Sequence, residues 1–401
     1  MTKAHLAVGI RQSDPSERPK MKRIIVCCDG TWNADDTQTT ETNVALLARS
    51  VHGSQQTGGI LQIVLYLRGV GTTGLKLEAF IEGATGIGVD DNIRSAYQFI
   101  AQNYIPGDEI YLFGFSRGAF TARSLAGLIT TCGILFRESL NALPDAWIYY
   151  RSPKPHSPSA FAAKYNVKSH VDPQITFLGV WDTVGSLGIP GSLLAAGNKE
   201  KFAFHDTSPS PFVKRAVQAL AIDEHRHDFT PTFWTGAIPP GATIQQVWFA
   251  GAHSDVGGGY KTRSLADIPL VWMARQAEAA GLALDWKCLP DPSMLDATAP
   301  AHDSSAGLFA LDRYHPTLRE IGMKKCTVKF NESLYEALDE NGNPVSTINE
   351  GVHRSVLSRY AGSAQVCSND DKGTCSLSPY KSETLAPFFN DGAFAGLPIV
   401  D

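Results

Sequence analysis

Residues 109–120 read Glu109-Ile-Tyr-Leu-Phe-Gly114-Phe-Ser116-Arg-Gly118-Ala-Phe. The apolar run before the first glycine predicts a buried strand, and the spacing of alanine, leucine and isoleucine after the last one predicts a helix. Between them lies a G-x-S-x-G pattern, whose small residues let a strand and a helix approach closely. Such a turn pushes the serine Oγ out of the fold, so Ser116 is a candidate nucleophile. The alternative is a tight turn whose serine does no chemistry.

Further apolar, β-rich runs occupy 23–28, 62–67, 175–181 and 245–250, and each leads into glycine or a polar turn. Helical patterns lie among these runs and after the serine turn, and they cover 41–51, 89–104, 117–131, 211–222 and 265–281. Continuous apolar strands that alternate with helices indicate a parallel sheet covered on both faces. We therefore predict an α/β fold, α/β-hydrolase-like, with a mostly parallel central sheet. Ligands of such sheets bind outside the carboxyl ends of the strands.

Two stretches look like insertions into this alternation. Residues 136–171 are rich in proline, serine and aromatic side chains, and residues 188–211 carry glycine, proline, phenylalanine and histidine. Either stretch could cap the strand ends as a lid or form a plain surface loop. Periodicity weakens after about residue 285. The predicted organisation is a polar N-terminal tail over 1–21, a catalytic domain over 22–283 and a C-terminal extension packing on it over 284–401.

The composition is that of an ordinary globular protein. The chain has 401 residues, of which 43% are hydrophobic and 19% charged, and this suffices for one large domain with insertions or for two domains. Its formal net charge of −5 gives no electrostatic reason to expect a nucleic-acid partner. We find no signal-peptide core and no run of membrane-spanning length. These features predict a cytoplasmic protein with at most peripheral membrane contact, exported only by a signal-independent route, and they leave its oligomeric state open.

No residue pattern calls for a metal or an organic cofactor. The adjacent Cys27 and Cys28 lie in an apolar run, which indicates buried free thiols in a protein of a reducing compartment. His225 and His227 have a spacing that suits neither face of a helix, and a polar loop is the expected structure. The glycines of residues 83–88 follow no strand and have the wrong spacing for a dinucleotide loop. We predict neither metal nor cofactor.

A serine nucleophile needs a base, usually histidine, and an acid that orients this base. Two acid–histidine sets follow Ser116 in the chain: Asp182 with His253, and Asp255 with His353. Asp182 and His253 each stand directly behind an apolar run, so both should leave the sheet at the same edge as the serine, whereas no apolar strand precedes His353. We favour the triad Ser116, Asp182 and His253. Asp255 and His353 are alternative members, and mixtures of the two sets stay open.

Acyl transfer also requires an oxyanion hole, in which backbone N–H groups face the developing negative charge. One expected donor is the N–H of Arg117, directly after the candidate nucleophile. The second should come from the loop after the first strand, at Gly30 or Thr31. Asp29 could instead hydrogen-bond this loop into shape.

Four motifs stand at the predicted strand ends: Ile25-Val-Cys-Cys-Asp-Gly-Thr-Trp-Asn33, Gly114-Phe-Ser-Arg-Gly-Ala119, Gly179-Val-Trp-Asp-Thr-Val-Gly185 and Val247-Trp-Phe-Ala-Gly-Ala-His-Ser-Asp-Val-Gly-Gly-Gly-Tyr260. Together they resemble the type VI secretion phospholipase effector family, formerly a domain of unknown function and also found in fungi. The resemblance covers about residues 22 to 283. It implies an α/β-hydrolase catalytic domain and a serine esterase or phospholipase whose triad maps onto Ser116, Asp182 and His253.

We therefore predict a hydrolase of carboxylic esters that works through an acyl-enzyme. The first expectation is a lipase or phospholipase, with an ester or phospholipid as its substrate. One alternative keeps the triad and acts on a non-lipid ester, a thioester or an amide. A second alternative is a non-catalytic interaction protein built on the same fold.

Overall fold

A computed structural model gives the structure of the chain. It describes residues 21–30, 41–53, 59–69, 88–153, 155–184, 207–304, 315–337, 343–361, 363–367, 375–390 and 393–401. The N-terminal tail up to residue 20, residues 188–206 of the second predicted insertion, and Thr31 lie outside the described residues.

Strands and helices alternate through the first two thirds of the described residues. The strands, in chain order, are β1 (Lys22–Cys28), β2 (Leu61–Leu67), β3 (Glu109–Phe115), β4 (Ile134–Leu135), β5 (Ser169–His170), β6 (Ile175–Trp181), β7 (Arg215–Ala221), β8 (Thr243–Phe249), β9 (Ala301–His302), β10 (Thr317–Arg319), β11 (Ser333–Tyr335), β12 (Glu350–His353), β13 (Ser363–Cys367), β14 (Cys375–Pro379), β15 (Phe389–Asn390), β16 (Ala393–Phe394) and β17 (Ile399–Val400). The α-helices are α1 (Asn43–Ser50), α2 (Val89–Asn103), α3 (Arg117–Cys132), α4 (Leu143–Tyr150), α5 (Pro158–Tyr165), α6 (His253–Gly257), α7 (Ser264–Ala279) and α8 (Arg354–Ala361).

The central sheet has eight strands in the order β17-β12-β8-β7-β6-β3-β1-β2. Every neighbouring pair in it is parallel. The carboxyl ends of its strands therefore meet at one edge, which is where ligands bind in such sheets. This arrangement confirms the predicted α/β-hydrolase-like fold.

Alternate residues of the central strands pack into separate hydrophobic cores on the two faces of the sheet. Ile24 and Val26 of β1 lie in the core that contains helices α2 and α3. Ile25 and Cys27 lie in the core that contains helices α1 and α7. Successive side chains of a strand point to opposite faces, so a strand buried on both faces has to be apolar at every position. That requirement explains the continuous apolar runs in the sequence.

The predicted helix over 211–222 is wrong, because this stretch forms strand β7. The strand lies between β6 and β8, and Val217 pairs with Gly179 of β6 and with Gln245 of β8. Its alanines suit helical spacing, but a short apolar run is also what a fully buried parallel strand requires. Backbone hydrogen bonding to two neighbours, which no local pattern reveals, decides between the two structures.

Residues 136–171, the first predicted insertion, fold largely into helices against α3. After a 3₁₀ turn (Arg137–Ala142), helix α4 contributes Ala146 and helix α5 contributes Phe161 to the core on that face of the sheet. Helix α5 begins with Pro158, and the side chain of Ser157 caps it by accepting from the Ala160 N–H at 3.2 Å. Proline at the first helical position and serine at the N-cap are both favoured.

Residues beyond 283 complete the sheet on the side of β8. Strand β12 pairs in parallel with β8, and β17 pairs with β12. The Trp248 indole Nε1–H of β8 donates to Glu350 Oε2 of β12 at 2.6 Å, and this bond is buried. The strand that leads into His253 is therefore held from both sides.

The serine turn brings three backbones into close contact. A Cβ placed on Gly114 would lie 2.3 Å from the carbonyl oxygen of Gly118, and a Cβ placed on Gly118 would lie 2.1 Å from the carbonyl oxygen of Cys28. Because no side chain fits into either space, the end of β1, the end of β3 and the start of α3 can meet only with glycine at both positions.

We expect Gly118→Ala to lower the free energy of unfolding by about 1–3 kcal/mol or more, since the new methyl group must force α3 away from β1. Urea unfolding curves measure this change. Gly53→Ala is the matched control, because nothing lies within 4 Å of a Cβ placed there. Equal midpoints for Gly118→Ala and the wild-type protein would contradict the close approach.

Candidate active site

Ser116 connects β3 to α3 in a strained backbone conformation. Its φ of 57° and ψ of −123° lie in a region that non-glycine residues rarely adopt. Two backbone hydrogen bonds hold it there: the Ser116 N–H donates to the Trp181 carbonyl at 3.0 Å, and the Phe120 N–H donates to the Ser116 carbonyl at 3.2 Å. Strain of this kind costs about 1–3 kcal/mol and persists where the surroundings enforce it, often at functional sites.

Asp182 and His253 lie at the same edge and contact each other. Asp182 directly follows β6, and His253 begins helix α6 after β8. The His253 Nδ1–H donates to Asp182 Oδ2 at 2.6 Å, and both side chains are buried. The ring of Phe115, next to the serine, has its centroid 4.6 Å from that of His253. The two residues that the strand-end argument paired are thus hydrogen-bonded beside the serine turn.

Arg319 of β10 also binds Asp182, and it lies in none of the sequence motifs. Its Nη1 donates to Asp182 Oδ1 at 2.7 Å, and its Nη2 donates to Asp182 Oδ2 at 3.1 Å. The side chain is 1% exposed. Strand β10 is three residues long and lies where periodicity is weak, so no sequence signal could have linked this arginine to a site 137 positions earlier.

The electrostatics keep Asp182 ionised and His253 neutral. Burial alone would raise the pKa of Asp182, but the charge of Arg319 and the hydrogen bond from His253 outweigh burial and lower this pKa. Burial lowers the pKa of His253 below 6.5, and the partner carboxylate only partly offsets that effect. An imidazole whose proton lies on Nδ1 presents Nε2 as an acceptor. Near neutral pH the pair is therefore a base ready to take a proton.

Glu224 holds the backbone of the histidine. Its Oε2 accepts the His253 backbone N–H at 3.2 Å, and the same oxygen accepts from Arg226 Nη2 at 2.7 Å. Burial would raise the pKa of Glu224, but the adjacent Arg226 outweighs burial and lowers it. The carboxylate is therefore charged, and it fixes the start of α6.

Asp255, the alternative acid, has a different histidine as its partner. Asp255 Oδ1 accepts from His302 Nδ1 at 2.7 Å, and Oδ2 accepts the His302 backbone N–H at 2.9 Å. The His302 ring stacks on Tyr260 with centroids 3.9 Å apart. Oδ2 also accepts the Ala252 N–H at 3.1 Å, so Asp255 braces the turn in front of His253.

His353, the alternative base, ends strand β12. Its Nδ1 lies 2.7 Å from Ser355 Oγ, and its ring stacks on Phe249 at 4.7 Å. Burial lowers the pKa of His353 to about 4. Among the described residues, the contacts thus join Asp182 to His253 and Asp255 to His302.

Asp29, which directly follows β1, accepts three hydrogen bonds. Its Oδ1 accepts the Gly30 N–H at 2.7 Å, and its Oδ2 accepts from Thr42 Oγ1 at 2.7 Å and from the hydroxyl of Tyr66. The Gly30 N–H therefore points at a carboxylate in this structure. Arg117 begins α3, so its backbone N–H lies at the positive end of the helix dipole, where negative charge is stabilised.

Within the described ranges, no group of three or more His, Cys, Asp and Glu side chains could hold a metal ion. His227 Nδ1 lies 3.4 Å from Thr317 Oγ1, and the His225 carbonyl accepts the Thr317 N–H at 2.8 Å.

None of the helices in the described part of the chain is both long and apolar enough to span a bilayer.

Comparison with known families gives a match over most of the chain. The model of the Tle1-like phospholipase effector catalytic domain of type VI secretion systems (T6SS) matches residues 22–276. The match confirms the resemblance carried by the four strand-end motifs.

Individual relatives are more distant. An uncharacterized protein of Saccharomyces cerevisiae, YEL023C, is 30% identical over 256 residues, which are 57% of this chain and 35% of the yeast protein. The chain therefore spans about a third of the length of that curated relative. Among solved structures, an uncharacterized protein from Pseudomonas aeruginosa is 18% identical, with a TM-score of 0.37 over 68% of this chain and 48% of that one. The Tle1 effector bound to the VgrG spike of the type VI secretion system is 20% identical, with a TM-score of 0.38 over 65% of this chain and 56% of that one.

The low pKa of His353 predicts a pH dependence of stability. The unfolded chain binds a proton at this histidine below pH 6.5, whereas the folded protein does so only near pH 4. The free energy of unfolding should therefore fall as the pH drops from 6.5 to 4, with His353 contributing up to about 1.4 kcal/mol per pH unit. In His353→Gln this contribution is lost, and the slope should be smaller.

Urea unfolding at several pH values between 7 and 4 measures both slopes. His315→Gln is the matched control, because it removes an imidazole that is exposed and not buried. If His353→Gln and the wild-type protein had equal slopes, the low pKa of His353 would not be a cause of the pH dependence.

Proposed function

The chain belongs to the family of Tle1-like phospholipase effector catalytic domains, and from this premise we propose that it is a serine hydrolase that cleaves carboxylic esters, with phospholipids as its substrate class. The observation that carries the proposal is the 2.6 Å hydrogen bond between His253 Nδ1 and Asp182 Oδ2, buried beside the strained turn of Ser116. A nucleophile, a neutral base and an ionised acid at one sheet edge are the groups that acyl transfer requires.

In the proposed reaction, Ser116 Oγ attacks the ester carbonyl while its proton passes to His253 Nε2. Asp182 stabilises the imidazolium that forms. The protonated His253 then gives the proton to the departing alcohol, and an acyl-enzyme on Ser116 remains. Water activated by His253 attacks this ester, releases the fatty acid and restores the serine.

Two backbone N–H groups would stabilise the oxyanion of the tetrahedral intermediates. The N–H of Arg117 follows the nucleophile directly. Because the Gly30 N–H already donates to Asp29 Oδ1, we favour the N–H of Thr31 as the second donor. Asp29 would then act by holding the loop in shape.

Replacement of the nucleophile tests the reaction class. We expect Ser116→Ala to lower the hydrolysis of short p-nitrophenyl esters by at least about 10⁴-fold, because no other group forms the acyl-enzyme. Ser124→Ala, which alters a buried serine further along α3, is the control and should keep wild-type turnover. A fluorophosphonate probe should label the wild-type protein and Ser124→Ala but not Ser116→Ala. Inertness of the wild-type protein towards both reagents would instead favour a non-catalytic interaction protein on this fold.

A comparison of substrates tests the lipid assignment. We expect the wild-type protein to release fatty acid from phosphatidylcholine vesicles, with higher activity on the vesicles than on soluble esters, since a lipase gains activity at an interface. Ser116→Ala should abolish release from both substrates. Turnover of soluble esters without any release from vesicles would point to a non-lipid ester, a thioester or an amide.

A further inference from the structure

We propose that Arg319 is a positioning residue for the acid–base pair, which it serves by holding the Asp182 carboxylate in one orientation and in its charged form. The arginine lies beyond residues 22–276, the part of the chain that the family model matches, so a segment outside the common catalytic domain would complete the site. This inference rests on the proposed function, since only a reacting pair has a reaction to be positioned for.

The guanidinium is fixed by four acceptors. Besides the two oxygens of Asp182, Nη1 donates to the Ala221 carbonyl at 2.7 Å and Nη2 donates to the Phe229 carbonyl at 2.6 Å. Both carbonyls belong to segments of the site, the end of β7 and the turn whose Phe229 ring lies 5.0 Å from that of His253. Since each terminal nitrogen serves one carboxylate oxygen and one carbonyl, the planar fork has a single orientation.

The carboxylate is fixed in turn. Asp182 Oδ1 accepts from the Ala221 N–H at 3.0 Å and from Arg319 Nη1, while Oδ2 accepts from His253 Nδ1 and Arg319 Nη2. Each oxygen therefore has two donors, and rotation of the carboxylate would break several bonds at once. Without Arg319, each oxygen would keep one donor.

Charge provides the second part of the role. A buried carboxylate without a nearby cation tends to take up a proton, and a protonated acid stabilises no imidazolium. The guanidinium prevents this by lowering the pKa of Asp182, and a cation beside the pair disfavours a second positive charge on His253. The charged groups that act on this histidine include Asp182 and Glu224, which favour its protonation, and Arg226, which disfavours it. Removal of Arg319 should therefore raise the proton affinity of the Asp182–His253 pair, whichever member takes the proton.

A purely structural arginine would behave differently. It would tie β10 to the ends of the neighbouring segments, and its loss would lower stability without moving the titration of His253. The matched control is Arg359, which is also buried in the C-terminal region and donates through Nη1 to the carbonyls of Ala297 and Ala299.

The experiment follows the His253 ring nitrogens by NMR during a pH titration, with the signal assigned by its loss in His253→Gln. In Arg319→Met we expect the midpoint to move to higher pH by about one unit or more, and in Arg359→Met we expect it to stay at the wild-type value. An unmoved midpoint in folded Arg319→Met would overturn the proposal. This measurement needs no turnover, so it stands even if the protein hydrolyses no ester.

Activity provides the second measurement. Arg319→Lys keeps the charge but cannot bind both carboxylate oxygens as a planar fork, so kcat should fall about 10- to 100-fold with little change in KM, while the acid limb of the kcat/KM profile stays in place. If Arg319→Lys had the wild-type kcat, the positioning role would be overturned. This test remains decisive even if Arg319→Met does not fold. Failure of the proposed function would show differently, as no turnover and no fluorophosphonate labelling in the wild-type protein.

Discussion

The close approach of α3 to the ends of β1 and β3 is the constraint on which the rest of the site depends. Gly118 packs against the Cys28 carbonyl without room for a methyl group, and this contact determines where the helix can begin. The strained backbone of Ser116 follows from it, because the chain has to reverse within one residue. Once the turn is fixed, the parallel sheet determines the remainder, since β6 and β8 end at the same edge and bring Asp182 and His253 there.

Four largely buried charged side chains lie near the carboxyl ends of the strands. They are the carboxylates of Asp182 and Glu224 and the guanidiniums of Arg226 and Arg319. A charge away from water is costly unless it is paired and hydrogen-bonded. Here each carboxylate has its own guanidinium, so the group as a whole is neutral. His253 bonds to both carboxylates, through its ring and through its backbone N–H. The histidine is thereby held by ionised partners while burial keeps it uncharged.

Local patterns in the sequence predicted those parts of the structure that local physics decides. Buried parallel strands must be apolar throughout, so β1, β3 and β6 could be found, and the pairing of Asp182 with His253 followed from where their strands end. Strand β7 was mistaken for a helix, because its alanines fit both periods and only its two neighbours distinguish them. Arg319 and His302 escaped notice for a related reason. Their partners are distant in the chain, and neither residue lies in a motif.

The pairing of Asp182 with Arg319 has a consequence for biosynthesis. The two residues are 137 positions apart, and a chain emerges from the ribosome with its N-terminal part first. Ser116, Asp182 and His253 are therefore all synthesised before Arg319, the cation that keeps Asp182 ionised. Contacts of such long range also form slowly, because a large loop has to close first. The nascent protein thus passes through a stage in which residues 22–276, the part that the family model matches, are present and Asp182 lacks this counter-ion. The ion pair can form only after residue 319 has been synthesised.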